Sequence, residues 1–196
     1  NIENIIRAVM TLEDNFSILV IDDGSPDGTG GIVKRLMEND FKDRLHIIER
    51  AGKMGLKSAY ITGFKWCIER SYDYIFEMDA DFSHPVPKLM ELYAACAEKG
   101  FDVAIGSRYV GNVVNVVNWP MGRVLMSHYA SKYVRFITGL KITDTTAGFV
   151  CYRREVLKTI DFDKIRFKGY AFQIEMKFTA HKCGFKLTEV PIVFVN

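Results

Sequence analysis

The sequence predicts a single α/β domain, a mostly parallel sheet with helices packed on both faces. Three observations predict it. Apolar, strand-like runs recur at 17–21, 45–48, 74–77 and 102–105. The stretches between them carry apolar residues at helical spacing. Charged residues and turn formers gather where the runs end. Strand and helix in alternation imply crossover connections, which are right-handed and place helices on both faces. A length of 196 residues suits one domain with a sizeable core, and 48% hydrophobic with 26% charged residues is ordinary for a globular chain.

Taken in order, Asn1 to Met10 has helical spacing from its first residue. Ser17-Ile18-Leu19-Val20-Ile21 is continuously apolar, as a strand buried on both faces would be. It gives way to Asp22-Asp23-Gly24-Ser25-Pro26-Asp27-Gly28-Thr29, dense in turn formers, and a helix is expected from Gly31 to Met37. Leu45 to Ile48 is the next strand, 51–56 a loop, and Lys57 to Glu69 a helix turning Ala59, Ile61, Phe64 and Ile68 inward. The strand entered at Tyr74 ends at Asp79; a helix over 86–99 and a strand over 102–105 follow. Residues 109–120, with three Asn and one Gly, read as a mobile loop. Met121 to Thr138 is a long helix, with Arg123, Ser127, Ser131 and Arg135 at four-residue intervals on one face. Beyond the turn at 144–149 the pattern predicts a strand at 150–152, helices at 153–159 and 170–183 with Gly184 as cap, and a last strand over 187–195. Pro191 points to a sheet edge or bulge there. Helical spacing from the first residue, and a strand-like run at the last ones, mark 1–196 as a domain truncated at both ends.

Composition narrows the function classes. A net charge of +2 without long like-charged blocks speaks against a nucleic-acid surface. Cys67, Cys96, Cys151 and Cys183 are widely spaced, as reduced core thiols of a cytosolic-facing protein would be. No apolar run approaches the ~20 residues of a membrane span.

The chemistry concentrates on Met78-Asp79-Ala80-Asp81-Phe82-Ser83-His84-Pro85. Two carboxylates one residue apart at the end of a buried strand are unfavourable unless a cation compensates them. Asp79 and Asp81 can both reach one hard ion, and Mg²⁺ or Mn²⁺ suits such a site, completing its shell with water and phosphate oxygens. The plainer alternative is an acidic turn with one Asp as helix N-cap. Ligands of open α/β sheets bind at the carboxyl ends of the strands. Asp22, Asp23, Lys53, Asp79, Asp81, Ser107 and Arg108 all fall at or just after such ends, so the fold would gather them on one rim. Some have a structural alternative: an Asx turn for Asp22-Asp23 and a solvated charge for Lys53. His84 could support the metal site but reads first as a turn residue. The Arg123–Arg135 stripe could be the wet face of an amphipathic helix or a phosphate site.

Four runs occur in fixed order: Val20 to Thr29, Met78-Asp79-Ala80-Asp81, Gly106-Ser107-Arg108-Tyr109, and Asp144-Thr145-Thr146-Ala147-Gly148-Phe149. Together they resemble the dolichol-phosphate (polyprenyl-phosphate) mannosyltransferases, within the inverting family 2 glycosyltransferases of the Rossmann-like GT-A fold. The resemblance covers nearly the whole chain. It implies that Asp22 and Asp23 lie near the nucleoside and Lys53 in the loop over the base. It implies that Asp79 lies by the diphosphate or ribose and that Asp81 binds the metal directly. Arg108, Arg123 and Ser127 match positions that hold the acceptor phosphate; Asp144 and Glu175 match substrate-side positions. Two departures stand out. The strand that opens the family, with its Pro-x-Tyr-Asn-Glu run, is missing ahead of Asn1, and Ser83 stands where some members carry a metal-neighbouring Gln.

The resemblance implies a metal-dependent enzyme moving a hexose, mannose from GDP-mannose, to dolichyl or polyprenyl phosphate, working at the cytosolic face of a membrane. Glucosyl or aminosugar transfer from a UDP-sugar to the same carrier is the alternative within the class. A non-catalytic nucleotide-binding scaffold is the rival outside it.

Overall fold

The computed structural model describes residues 1–12, 16–110, 115–118 and 120–195, and of Arg123 the backbone only. The first unit is α1 (Ile2–Met10), β1 (Ile18–Asp22), α2 (Thr29–Asn39) and β2 (Leu45–Glu49). β1 and β2 pair in parallel, Ile18 opposite Leu45 through Asp22 opposite Glu49. α3 (Leu56–Glu69), β3 (Tyr74–Glu77), α4 (Lys88–Ala97) and β4 (Val103–Ser107) follow. The second half holds β5 (Val116–Val117), α5 (Met121–Thr138), β6 (Val150–Arg153) and α6 (Arg154–Thr159). A 3-10 turn (Phe162–Lys164), α7 (Tyr170–Lys182), β7 (Leu187–Pro191) and β8 (Phe194–Val195) complete the chain.

The sheet is more mixed than the sequence pattern predicts. Its larger part runs β3-β6-β4-β7, and β6 is antiparallel to both neighbours. Only β4 and β7 pair in parallel there. The cause is connectivity: β6 is entered from the 144–149 turn on the rim side, so it runs back between β3 and β4 instead of arriving by a crossover. The single strand expected over 187–195 is two. β7 ends at Pro191 on the sheet edge, and β8 leaves to pair with β5, as a residue without an N–H allows. That pairing also places 116–117, expected as loop, in a strand; residues 111–114 and 119 of that loop lie outside the described residues.

Alternation along the strands sorts the core into two faces. Val103, Ile105, Val150 and Tyr152 pack with Phe64 of α3, Val156 of α6 and Phe172 and Met176 of α7. Ala104 and Cys151 point the other way, onto Ile5 and Val9 of α1 and Leu89 and Leu92 of α4. A smaller cluster seats α1 and α2 on β2 through Ile6, Met10, Val33, Leu36 and Leu45. All four cysteines are free thiols; Cys96 and Cys151 are buried as expected, whereas Cys183 is exposed where α7 ends ahead of Gly184.

Among the described residues no ladder joins β1 to β3. Both strands instead line one slot of about 760 Å³, together with apolar residues of α1 and α3.

Gly106 in β4 is fixed by close approach. A Cβ there would lie 2.6 Å from Phe149 Cδ1 and 3.3 Å from Ile192 Cγ2, and Phe149 is fully buried. Gly106→Ala is expected to lower stability by about 1–3 kcal/mol, as overpacking does, read from the urea midpoint. Gly31→Ala in α2, where a Cβ meets nothing within 4 Å, should leave the midpoint unchanged or raise it.

Candidate active site

β3 delivers its acidic end to the rim. Asp79 and Asp81 are both exposed on the turn that follows it, and Phe82 adopts a left-handed backbone, φ 65°, which bends the chain sharply behind Asp81. A non-glycine residue in that region is uncommon and tends to mark a constrained site. The Ser83 N–H donates to Asp81 Oδ1 at 2.9 Å, and Tyr60 OH of α3 donates to Asp79 Oδ1 at 3.4 Å. Desolvation, then the neighbouring Asp81 charge, raise the Asp79 carboxyl above its ordinary value. The Asp81 carboxyl is held below its ordinary value: desolvation opposes this, but the hydrogen bonds from Ser83 prevail. Two like charges on one exposed turn fit a hard divalent ion that takes its remaining ligands from water and phosphate. Among the described residues no group of three His, Cys, Asp or Glu comes together as a metal cage. Ser83, standing where the resemblance places a Gln in some members, is itself buried.

His84 is the residue that sequence reasoning undervalued. It is not a solvated turn residue but is 4% exposed, stacked on Phe149 at 4.9 Å between ring centroids. Its Nδ1 accepts the Asp79 backbone N–H at 3.2 Å, which fixes the entry to the acidic turn. Burial pushes the imidazole down to about 4, against the Asp81 charge. The available signal was the His-Pro pair so close behind Asp-x-Asp.

The second centre is Arg108, at the end of β4. Its Nε and one terminal nitrogen donate to the two oxygens of Asp144 at 2.7 Å each, and its backbone N–H donates to the same carboxylate at 3.0 Å. Asp144 is fully buried. Glu189 of β7 accepts from the backbone N–H groups of Thr143 and Asp144 at 2.8 and 2.9 Å, holding the start of the turn; neither it nor the clamp was visible in the sequence. Ser131 of α5 is buried and accepts from Thr145 Oγ1 at 3.3 Å.

The other expected residues distribute as follows. Asp22 is buried and accepts the Ser25 N–H with both oxygens, at 3.3 and 3.4 Å, an Asx-type turn. Asp23 pairs with Arg50, whose Nε lies 2.6 Å from Oδ1; Arg50, itself nearly buried, is a second residue that the motif reading passed over. Lys53 is exposed in the loop between β2 and α3. Ser127 is half-buried on α5, and the side chain of Arg123 lies outside the described residues. Glu175 Oε2 accepts the backbone N–H groups of Arg166 and Phe167 at 2.8 and 2.9 Å, so it shapes the loop before α7. Asp81, Arg108 and Asp144 all lie close enough to His84 to act on it electrostatically. Asp22, Asp23 and Lys53 stand at the ends of β1 and β2, on the far side of the slot.

The sheet thus carries an acidic pair and a fixed arginine at its carboxyl ends, where ligands of α/β sheets bind. Residues 1–161 match the family described as "Glycosyl transferase family 2", and the chain belongs to that family. Over 180 residues it is 48% identical to the polyprenol monophosphomannose synthase of Mycolicibacterium smegmatis, covering 91% of this chain and 66% of that one. It is 44% identical over 182 residues to the undecaprenyl-phosphate mannosyltransferase of Micrococcus luteus, covering 91% and 72%. The chain thus spans about two-thirds of the length of these relatives. Among solved structures, a mannosyltransferase of Pyrobaculum calidifontis in complex with GDP-Man and Mn²⁺ shares the fold at TM-score 0.62 and 18% identity, covering 100% of this chain and 52% of that one. Glucosyl-3-phosphoglycerate synthase of Mycobacterium tuberculosis does so at TM-score 0.68 and 16% identity, covering 97% and 64%.

The buried imidazole makes stability pH-dependent with a defined sign. Unfolded His84 titrates near 6.5 and folded His84 at about 4, so the unfolded chain binds more protons between those values. Its contribution is complete above pH 6.5 and is lost as pH falls through 4, of order 3 kcal/mol in all. Urea midpoints of the parent and of His84→Asn at pH 7 and pH 5 should show the parent losing more stability over that interval.

Proposed function

We infer that this domain transfers a mannosyl group from GDP-mannose to a polyprenyl phosphate with the help of Mg²⁺ or Mn²⁺. The observation that carries the inference is the pairing of an exposed acidic turn, Asp79 and Asp81, with a guanidinium locked by a buried carboxylate. The names of the two relatives, both of which join mannose to a polyprenyl phosphate carrier, support it. A phosphate monoester has its second pKa near ~6 and carries close to two negative charges at pH 7. It requires placement and charge compensation, where a sugar hydroxyl would require a general base. The site fits that demand: His84, the histidine at the acidic turn, is buried and its Nδ1 already accepts a backbone N–H.

In this reading Arg108, Arg123 and Ser127 hold the acceptor phosphate; Arg108, whose Nε and one terminal nitrogen are given to Asp144, contributes a fixed positive charge. Asp144 keeps Arg108 from swinging. Asp79 and Asp81 hold the metal, which when bound offsets negative charge on the departing diphosphate. Asp22, Asp23 and Lys53 serve the nucleoside side, and Glu175 supports the acceptor side through the 166–167 loop.

α5 supports a lipid acceptor. The wet-face reading of its polar stripe is inverted: Ser131 is buried and Ser127 and Arg135 are half-buried. Met121, Met126, Tyr129, Tyr133 and Phe136 are exposed instead, Phe136 to 89%. No described helix is long and apolar enough to cross a membrane, so this face would lie in the interface as an in-plane helix, at the cytosolic surface.

The slot between β1 and β3 is, on the same reading, the seat of one further strand supplied by polypeptide ahead of Asn1. Two strand edges and apolar residues of α1, α3 and α4 line it, and a strand–α1–β1 crossover would be right-handed. Slow amide exchange at Leu19 and Phe76, which face away from β2 and β6, in a longer chain, against fast exchange in residues 1–196, is the expected result.

The reading is tested by supplying the full-length protein with polyprenyl phosphate and labelled GDP- and UDP-sugars and following label into the lipid phase. GDP-mannose should dominate; label from a UDP-sugar alone would reassign the donor. Asp81→Asn should abolish Mn²⁺ binding in calorimetry with the urea midpoint held near that of the parent. Flotation on anionic vesicles at low salt should be lost in Tyr133→Ser/Phe136→Ser, and equal flotation of variant and parent would remove α5 from the membrane contact.

A further inference from the structure

Beneath the rim, one lysine is buried in a place where an apolar side chain would pack. Lys177 is 0% exposed, on the inner face of α7 beside Phe172, Met176 and Ala180. Burying an ammonium is unfavourable unless all its donors are satisfied, and here they are. Nζ donates to the Ala147 carbonyl at 2.6 Å, to the Gln173 carbonyl at 3.1 Å and to Gln173 Oε1 at 3.4 Å. Gln173 Nε2 in turn donates to Glu77 Oε2 at 3.2 Å, and Tyr152 OH donates to Glu77 Oε1 at 3.3 Å. Glu77 is the last residue of β3, two before Asp79.

The shortest of these bonds ends in the 144–149 turn. Gly148 lies near Gln173 as well: a Cβ built there would lie 3.7 Å from Gln173 Nε2. The turn therefore has two clamps: Glu189 grips its start at Thr143 and Asp144, and Lys177 grips its end at Ala147. Between them lies the carboxylate that fixes Arg108. The same buried chain reaches the strand that carries Asp79 and Asp81.

We propose that Lys177 is a positioning residue: through the Ala147 carbonyl it sets the 144–148 turn, and so the Arg108 guanidinium, relative to the acidic end of β3. Gln173 and Glu77 join this unit to β3. The proposal deepens the transfer reading and rests on it for the identity of the group that Arg108 meets.

Lys177→Met alone would leave Glu77 buried beside no cation, so the test uses Lys177→Met combined with Glu77→Gln, which removes both charges at similar volume. Such replacement of a buried charge pair is often neutral for stability. The double variant should melt near the parent. Its KM for polyprenyl phosphate should rise about tenfold, the size of effect supporting residues around a site commonly have, while calorimetric affinity for GDP-mannose with Mn²⁺ changes less than about twofold. Amide exchange should quicken locally, at 145–148 and at Arg108. Unchanged KM and unchanged exchange would overturn the proposal, showing that Glu189 holds the turn alone. Faster exchange spread evenly over the chain would overturn it too, as a purely structural role. If the parent itself fails to use polyprenyl phosphate, the transfer reading falls, and the local exchange still decides whether Lys177 sets Arg108.

Discussion

The Arg108–Asp144 pair is the interaction on which the rest of the rim depends. Asp144 has no contact with solvent, and both its oxygens receive the guanidinium at 2.7 Å. Such a pair contributes little net stability compared with an apolar pair of the same shape, yet removing one partner strands a buried charge at about 3–5 kcal/mol. Its consequence is positional. It joins the end of β4 to the turn that leads into β6, and that turn is what sends β6 back antiparallel between β3 and β4. The mixed sheet and the fixed arginine are thus one arrangement seen from two sides.

Around this pair the molecule stores charge in two different ways. Asp79 and Asp81 stand exposed with like charge, and desolvation together with the Asp81 charge raises the Asp79 carboxyl; a cation from outside would offset both. Glu77, Lys177, Asp144 and Glu189 are instead satisfied from within, each by hydrogen bonds to backbone or to a neighbouring side chain. The first group is open to ligands and the second is rigid. On the proposed function the site holds two phosphate-bearing substrates in register and requires both, because charge without rigidity would bind but not align.

α5 shows how local pattern and tertiary context can part. Its serines and arginines recur every fourth residue, which in isolation describes a solvent-facing stripe. Tertiary structure turns Ser127, Ser131 and Arg135 inward, where Ser131 meets Thr145, and leaves Met, Tyr and Phe side chains outside. An exposed apolar face of this extent is unusual for a helix packed on a soluble core and is characteristic of contact with an apolar phase or partner.

The sequence by itself determined the alternation of strands and helices, the ends of β1, β3 and β4 where the charged residues collect, and the kinship carried by the runs at 20–29, 78–81, 106–109 and 144–149. These are local properties: apolar runs, turn formers and spacing act within a few residues of chain, so they survive without a fold in view. What only the tertiary structure decided is everything that joins distant segments. Periodicity does not encode strand direction, so the antiparallel placement of β6 was invisible. Nor does it encode which of two faces of α5 is buried, or that His84 would stack under Phe149. The partners of Arg108, Asp23 and Lys177 lie 36, 27 and 30 residues away along the chain, and a pairing over such distances is fixed by packing, not by sequence pattern.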